Sequence, residues 1–192
     1  HHSSMKNVIG IRRELGIRTV FNILGPMSNP ADVKNLVIGV FNKALCRLIA
    51  EVLRELGNQH VIVVHSSDGL DEISIAGQTH VVELKAGEIA EYTIKPEDFN
   101  INSQSLIGLT VDSSSASLEL IKDALGKQRG QYAEKAAAII SLNAGVALYV
   151  AGVATTPKVG VLMAQDTIES GLALMKMKEL ANFTRAFSAE GK

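Results

Sequence analysis

The chain has 192 residues, about one domain's length, with 46% apolar and 20% charged residues, enough for a core without metal or disulfide staples. Nineteen Lys and Arg against twenty Asp and Glu leave a net charge of -1, which excludes a whole-chain field for capturing nucleic acid or an anionic membrane. The single cysteine, Cys46, excludes an intramolecular disulfide and CxxC metal sites, so the expected setting is reducing and cytoplasmic.

The opening His1-His2-Ser3-Ser4-Met5 has the look of a tag remnant, and no basic segment followed by an apolar one follows it, so no secretory signal is expected. Residues 11–30 read as a helix broken at Gly25-Pro26, with a turn at Asn29-Pro30. Arg12, Arg13 and Arg18 give this segment a local positive face, suited to a carboxylate or phosphate and equally to an ordinary solvated helix surface.

Leu36–Phe41 is a short apolar run predicting a buried strand, and Lys43–Leu56 has helical spacing stopped by Gly57. His60–His65 is β-branched and predicts a second buried strand, which makes a βαβ unit with a parallel strand pair. Glu72–Ile75, Thr79–Leu84 and Ile89–Ile94 predict short strands separated by Gly77 and Gly87, an antiparallel excursion. Helices follow over about Ser117–Leu125, Tyr132–Val153 and Lys158–Phe187, the last with a break near Gly171. Residues 136–157 carry no charge and are long enough to span a bilayer. Their Ala and Gly content, with Ser141 and Asn143 near the middle, favours a helix buried on all sides inside a soluble α/β protein. No internal repeat or linker divides the chain.

The P-loop, dinucleotide-binding and serine-elbow signatures are missing. The run Asp68-Gly69-Leu70-Asp71-Glu72 follows the second strand, where α/β sheets place ligands outside the carboxyl ends of strands. Asp71 and Glu72 are adjacent hard carboxylates of the kind Mg²⁺ accepts while keeping water and substrate phosphates. A solvated Asp-Gly turn is the plain alternative.

Three segments taken together, R-R-E-L-G-I-R-T-V-F-N-I-L-G-P from Arg12, V-V-H-x-x-D-G-L-D-E-I-S from Val63 and S-L-N-A-G-V-A-L-Y-V from Ser141, closely resemble the anthranilate phosphoribosyltransferase family. The resemblance implies an α/β fold of the nucleoside phosphorylase type, a mixed sheet flanked by helices. It implies transfer of the phosphoribosyl group from phosphoribosyl pyrophosphate to anthranilate in tryptophan biosynthesis, with Mg²⁺ held at Asp71 and Glu72. Matched residue by residue, Arg12 and His2 fall on anthranilate-binding positions, Met5 on the hydrophobic partner of that histidine, and His1–Met5 read as native sequence. No general base is implied, and His60, His65 and His80 carry no role over. The family's G-T-G-G-D loop and K-H-G-N segment are not in the sequence. Residues 1–192 are therefore expected to be a partial domain, without the N-terminal helical domain through which the family forms homodimers, and incomplete for activity alone. A non-catalytic binding domain that retains the fold is the rival expectation. A pyrimidine nucleoside phosphorylase would share the fold, but its motifs are missing. Neither nucleic acid nor membrane is an expected partner.

Overall fold

The computed structural model describes residues 10, 14, 16, 25, 27, 31–126 and 130–189. Its centre is a four-stranded mixed sheet in the order β1 (Asn35–Gly39), β2 (His60–Ser66), β3 (Thr79–Lys85) and β4 (Glu88–Ile94). β1 and β2 run parallel with Asn35 opposite His60, and the β2–β3 and β3–β4 pairs are antiparallel. The expected α/β class and mixed sheet are both present.

Helix α1 (Ala44–Glu55) makes the crossover between the parallel strands. The Asn42 side chain caps its start by accepting from the Ala44 N–H at 3.0 Å, and Gly57 ends it at φ +80. Cys46, Ile49, Ala50 and Leu53 recur at helical spacing and bury one stripe against Val61, Val63, Val82 and Leu84 of the sheet. The opposite face, carrying Ile62, Val64 and Val81, packs on Leu142, Val146 and Val150 of α3 (Gln131–Val150). β2 is thus covered on both sides, which is why its sequence is a continuous apolar run.

The remaining helices are α2 (Ser114–Leu125), α4 (Pro157–Glu169) and α5 (Leu172–Ala189). Ser113 and Thr156 cap α2 and α4 by accepting from Ala116 N–H and Val159 N–H. Gly171, at φ +81, is the expected break between α4 and α5. α3 and α4 touch through backbone: a Cβ on Gly160 would lie 2.1 Å from the Gly145 carbonyl oxygen. α3 is the one helix among the described residues long and apolar enough to cross a membrane, and half of its apolar window is buried within the protein. It serves as the core helix the sequence suggests, though not buried on all sides, since Ala147 is exposed.

Two strand expectations need correction. Glu72–Ile75 forms no strand: both edges of β2 are already taken by β1 and β3, and the segment instead runs through the interior with Ile73, Ser74 and Ile75 all buried. β1 is not fully buried, because it lies at the edge of the described sheet, where only Ile38 is enclosed. A 3-10 turn at Pro96–Phe99, unsignalled by periodicity, delivers Phe99 to the core.

Candidate functional site

The chain leaves β2 at Ser66 and enters a loop whose conformation is fixed from both ends. At the first end, Ser66 N–H donates to the Leu70 carbonyl at 2.9 Å, and Gly69 N–H donates to the Ser66 carbonyl at 3.0 Å. Gly69 sits at φ +92, a conformation that favours glycine. Asp68 accepts from the Leu70 N–H at 3.1 Å through Oδ1 and from the Ser74 hydroxyl through Oδ2, closing the loop across its neck. Beneath it the buried hydroxyls of Ser66 and Thr79 pair at 2.6 Å, and both oxygens lie 3.2 Å from the Ser74 N–H that donates to them.

At the second end the Asn143 side chain of α3 takes both polar groups of Ile73. Its Oδ1 accepts from the Ile73 N–H at 2.9 Å, and its Nδ2 donates to the Ile73 carbonyl at 2.9 Å and to the Ile139 carbonyl at 3.0 Å. Ile73 is buried, so a backbone pair there requires partners, and among the described residues the segment has no strand neighbour to supply them.

Asp71 and Glu72 lie between these two fixed ends, with both side chains exposed. They sit on the shared wall of two open cavities. One, of about 540 Å³, lies between Val37 and Gly39 of β1 and Asn143 and Ala144 of α3. The other, of about 360 Å³, is mainly apolar and is lined by Leu106, Leu109, Val111, Leu120 and Ile139. The loop that contributes Leu106 and Leu109 is tied to α3 by the buried Lys135, whose Nζ donates to the carbonyls of Ser105 at 3.0 Å and Ile107 at 3.1 Å.

Partial desolvation, and then the neighbouring charge of Asp71, push the Glu72 carboxyl above its ordinary value. A cation between them would relieve that cost. Among the described residues no group of three or more His, Cys, Asp or Glu side chains stands ready to cage a metal. Asp71 and Glu72 can therefore supply two oxygens, the donor set that suits Mg²⁺ completing its shell from water and phosphate.

Of the residues expected at the site, Asp71 and Glu72 are placed side by side in the loop beyond the carboxyl end of β2. His2, Met5 and Arg12 lie outside the described residues. The described histidines are engaged in the sheet: His60 Nε2 is 2.8 Å from Glu83, His65 Nδ1 donates to the Val40 carbonyl at 2.8 Å, and His80 faces Glu91 at 3.7 Å. Sequence reasoning gives no role to Asp68, Asn143 or Gly39, which shape the loop. An asparagine inside an uncharged apolar helix is the available signal for Asn143.

A mixed sheet covered by helices, with paired carboxylates beyond the carboxyl end of a parallel strand, makes this an α/β domain, and the chain belongs to the glycosyl transferase family, a/b domain, which matches residues 1–174. Its similar relatives are anthranilate phosphoribosyltransferases. That of Cellvibrio japonicus is 64% identical over 185 residues, covering 96% of this chain and 54% of the relative. That of Stutzerimonas stutzeri is 60% identical over 192 residues, covering 100% of this chain and 55% of the relative. Among solved structures, the anthranilate phosphoribosyltransferase of Thermus thermophilus superposes with a TM-score of 0.84 at 33% identity, over 96% of this chain and 53% of that one. The Saccharomyces cerevisiae enzyme in complex with PRPP and Mg gives 0.76 at 26% identity, over 92% of this chain and 50% of that one. The chain spans about half the length of the curated relatives it matches.

Proposed function

We propose that this chain forms the metal- and pyrophosphate-holding part of an anthranilate phosphoribosyltransferase, which joins anthranilate to the phosphoribosyl group of phosphoribosyl pyrophosphate in tryptophan biosynthesis. The observation that carries the reading is the exposed Asp71-Glu72 pair on a loop fixed at both ends between two cavities.

In this reaction the anthranilate amine forms the new bond to C1 while the bond from C1 to pyrophosphate breaks, the electron pair leaving with the pyrophosphate and the amine's proton passing to solvent. Mg²⁺, when bound, supplies charge neutralisation for that leaving group. Asp71 and Glu72 hold the cation, and the loop around them sets its position before substrate arrives. Arg12 binds the anthranilate carboxylate through its forked donors, and His2 lines the same pocket. A sugar carbon that loses its leaving group early needs orientation and charge stabilisation more than a strong base, so no general base is assigned. A cytoplasmic location and a homodimer formed through an N-terminal helical domain belong to the same proposal.

The test is formation of phosphoribosyl anthranilate by the full-length protein, with anthranilate and thymidine offered in parallel. Mg²⁺-dependent turnover of anthranilate alone supports the reading, and turnover of thymidine overturns it. The rival is a non-catalytic domain that retains the fold. It predicts neither turnover nor Mg²⁺-dependent pyrophosphate binding when the N-terminal half of a relative is supplied.

A further inference from the structure

The S-L-N-A-G segment is the one resemblance-bearing motif for which the reaction itself finds no use, and its asparagine makes the most specific side-chain contact to the carboxylate loop. From the clamp on Ile73, we propose that Asn143 is a positioning residue for the cation held by Asp71 and Glu72, acting through the Ile73 backbone. The inference rests on the reading of those two carboxylates as the cation-holding pair.

The geometry assigns the role. Ile73 immediately follows Glu72, and its N–H and C=O are both bonded by the one Asn143 amide, each at 2.9 Å. The third bond, to the Ile139 carbonyl one helical turn back, fixes the rotation of the amide itself. Its oxygen thus faces the Ile73 N–H and its nitrogen faces the Ile73 carbonyl. The effect is that of a one-residue strand ladder supplied by a helix. Asn143 also lines the larger cavity beside Asp71 and Glu72. Its helix is in turn fixed by the Gly145 contact to α4, so the carboxylates are referenced to a rigid element. A residue that only satisfied a buried backbone pair would affect folding, whereas a residue that aims the carboxylates also affects how tightly a cation binds.

The experiment measures Mn²⁺ affinity in the presence of inorganic pyrophosphate, by titration calorimetry on the full-length protein. Four variants are compared: Asn143→Ala, Asn143→Ser, Glu72→Gln, and the double variant Asn143→Ala/Glu72→Gln. Leu142→Ala, fully buried on the same helix, controls for lost stability. Serine still reaches the Ile139 carbonyl but not Ile73, and it keeps the test available if the alanine variant does not fold. The expected result is about a tenfold loss of Mn²⁺ affinity for both Asn143 variants, a change under about twofold for Leu142→Ala despite its lower Tm, and no further loss when Asn143→Ala is added to Glu72→Gln. Hydrogen exchange of the Ile73 amide should accelerate in the Asn143 variants alone. Unchanged Mn²⁺ affinity in the Asn143 variants, or losses that track Tm in Leu142→Ala as well, overturns the positioning role while leaving the metal site standing. If Glu72→Gln itself leaves Mn²⁺ binding unaltered, the metal-site reading fails, and the positioning role falls with it.

Discussion

The main-chain carbonyl of Asp71 rests against Gly39 so closely that a Cβ on Gly39 would lie 1.5 Å from the oxygen and 2.5 Å from its carbon. Both partners are backbone, so neither can swing aside. The end of β1 is therefore the floor on which the carboxylate loop sits, and the absence of a side chain there sets the loop's height.

Gly39→Ala should lift that loop. The expected outcome is a loss of stability of about 2 kcal/mol from forced backbone movement, together with at least a tenfold fall in Mn²⁺ affinity. Thermal melts and a Mn²⁺ titration check both, and a variant that binds Mn²⁺ like the parent would show that the loop adapts.

Glu72 is placed at a cost. Its carboxyl is pushed up by desolvation and by Asp71, and a group whose folded value is raised favours folding below its unfolded value and loses that contribution as pH rises through the folded one. Ionised Glu72 thus opposes folding at neutral pH. Glu72→Gln should raise stability at pH 7 by about 0.5 kcal/mol, small because the side chain is exposed and screened. The gain should vanish as pH falls below the ordinary carboxylate value, even as cation binding is lost. A lower Tm at pH 7 would contradict this.

Glu83 behaves in the opposite sense. Burial pushes its carboxyl up, but hydrogen bonds from His60 at 2.8 Å and from Tyr92 and Tyr149 at 2.9 Å outweigh burial and hold it below the ordinary carboxylate value. Its contribution is present above the unfolded value and disappears as pH falls through the folded one. Glu83→Gln should cost about 2 kcal/mol at pH 7, the range for bonds to a charged acceptor. It should also flatten the acid limb of the stability curve, which denaturant titrations at several pH values will show.

The α3–α4 contact leaves no room for a side chain at either glycine. A Cβ on Gly145 would lie 2.4 Å from the Cα of Val161, and one on Gly160 2.1 Å from the Gly145 carbonyl oxygen. Either alanine substitution should destabilise by about 3 kcal/mol, whereas Ala147→Gly, on the exposed side of α3, should cost about 1 kcal/mol through helix propensity alone. Denaturant midpoints will separate the two classes.

Periodicity and punctuation make the βαβ unit, the hairpin and the break at Gly171 legible, because each depends on local spacing. Glu72–Ile75 reads as a strand and is not one, because alternation of apolar residues does not say what pairs the backbone, and here Ser74 is buried along with Ile73 and Ile75. Asp71 and Glu72 are legible as a pair because their chemistry and their place after a strand are both local. Their supports are not: Gly39 lies 32 residues before Asp71 in the sequence and Asn143 lies 71 residues after Glu72. Only the folded chain brings the three together.

The turn between β3 and β4 holds Ala86 at φ +50 and Gly87 at φ +87, a two-residue hairpin turn for which asparagine followed by glycine is the favoured pair. Because Lys85 pairs with His60 at the start of β2 while Thr79 pairs with Ser66 at its end, this turn lies at the opposite end of the sheet from the carboxylates. The fold therefore keeps a reserve of unclaimed robustness where it cannot disturb chemistry. Ala86→Asn is a place from which a hardier variant can be built without touching the loop that carries the carboxylates.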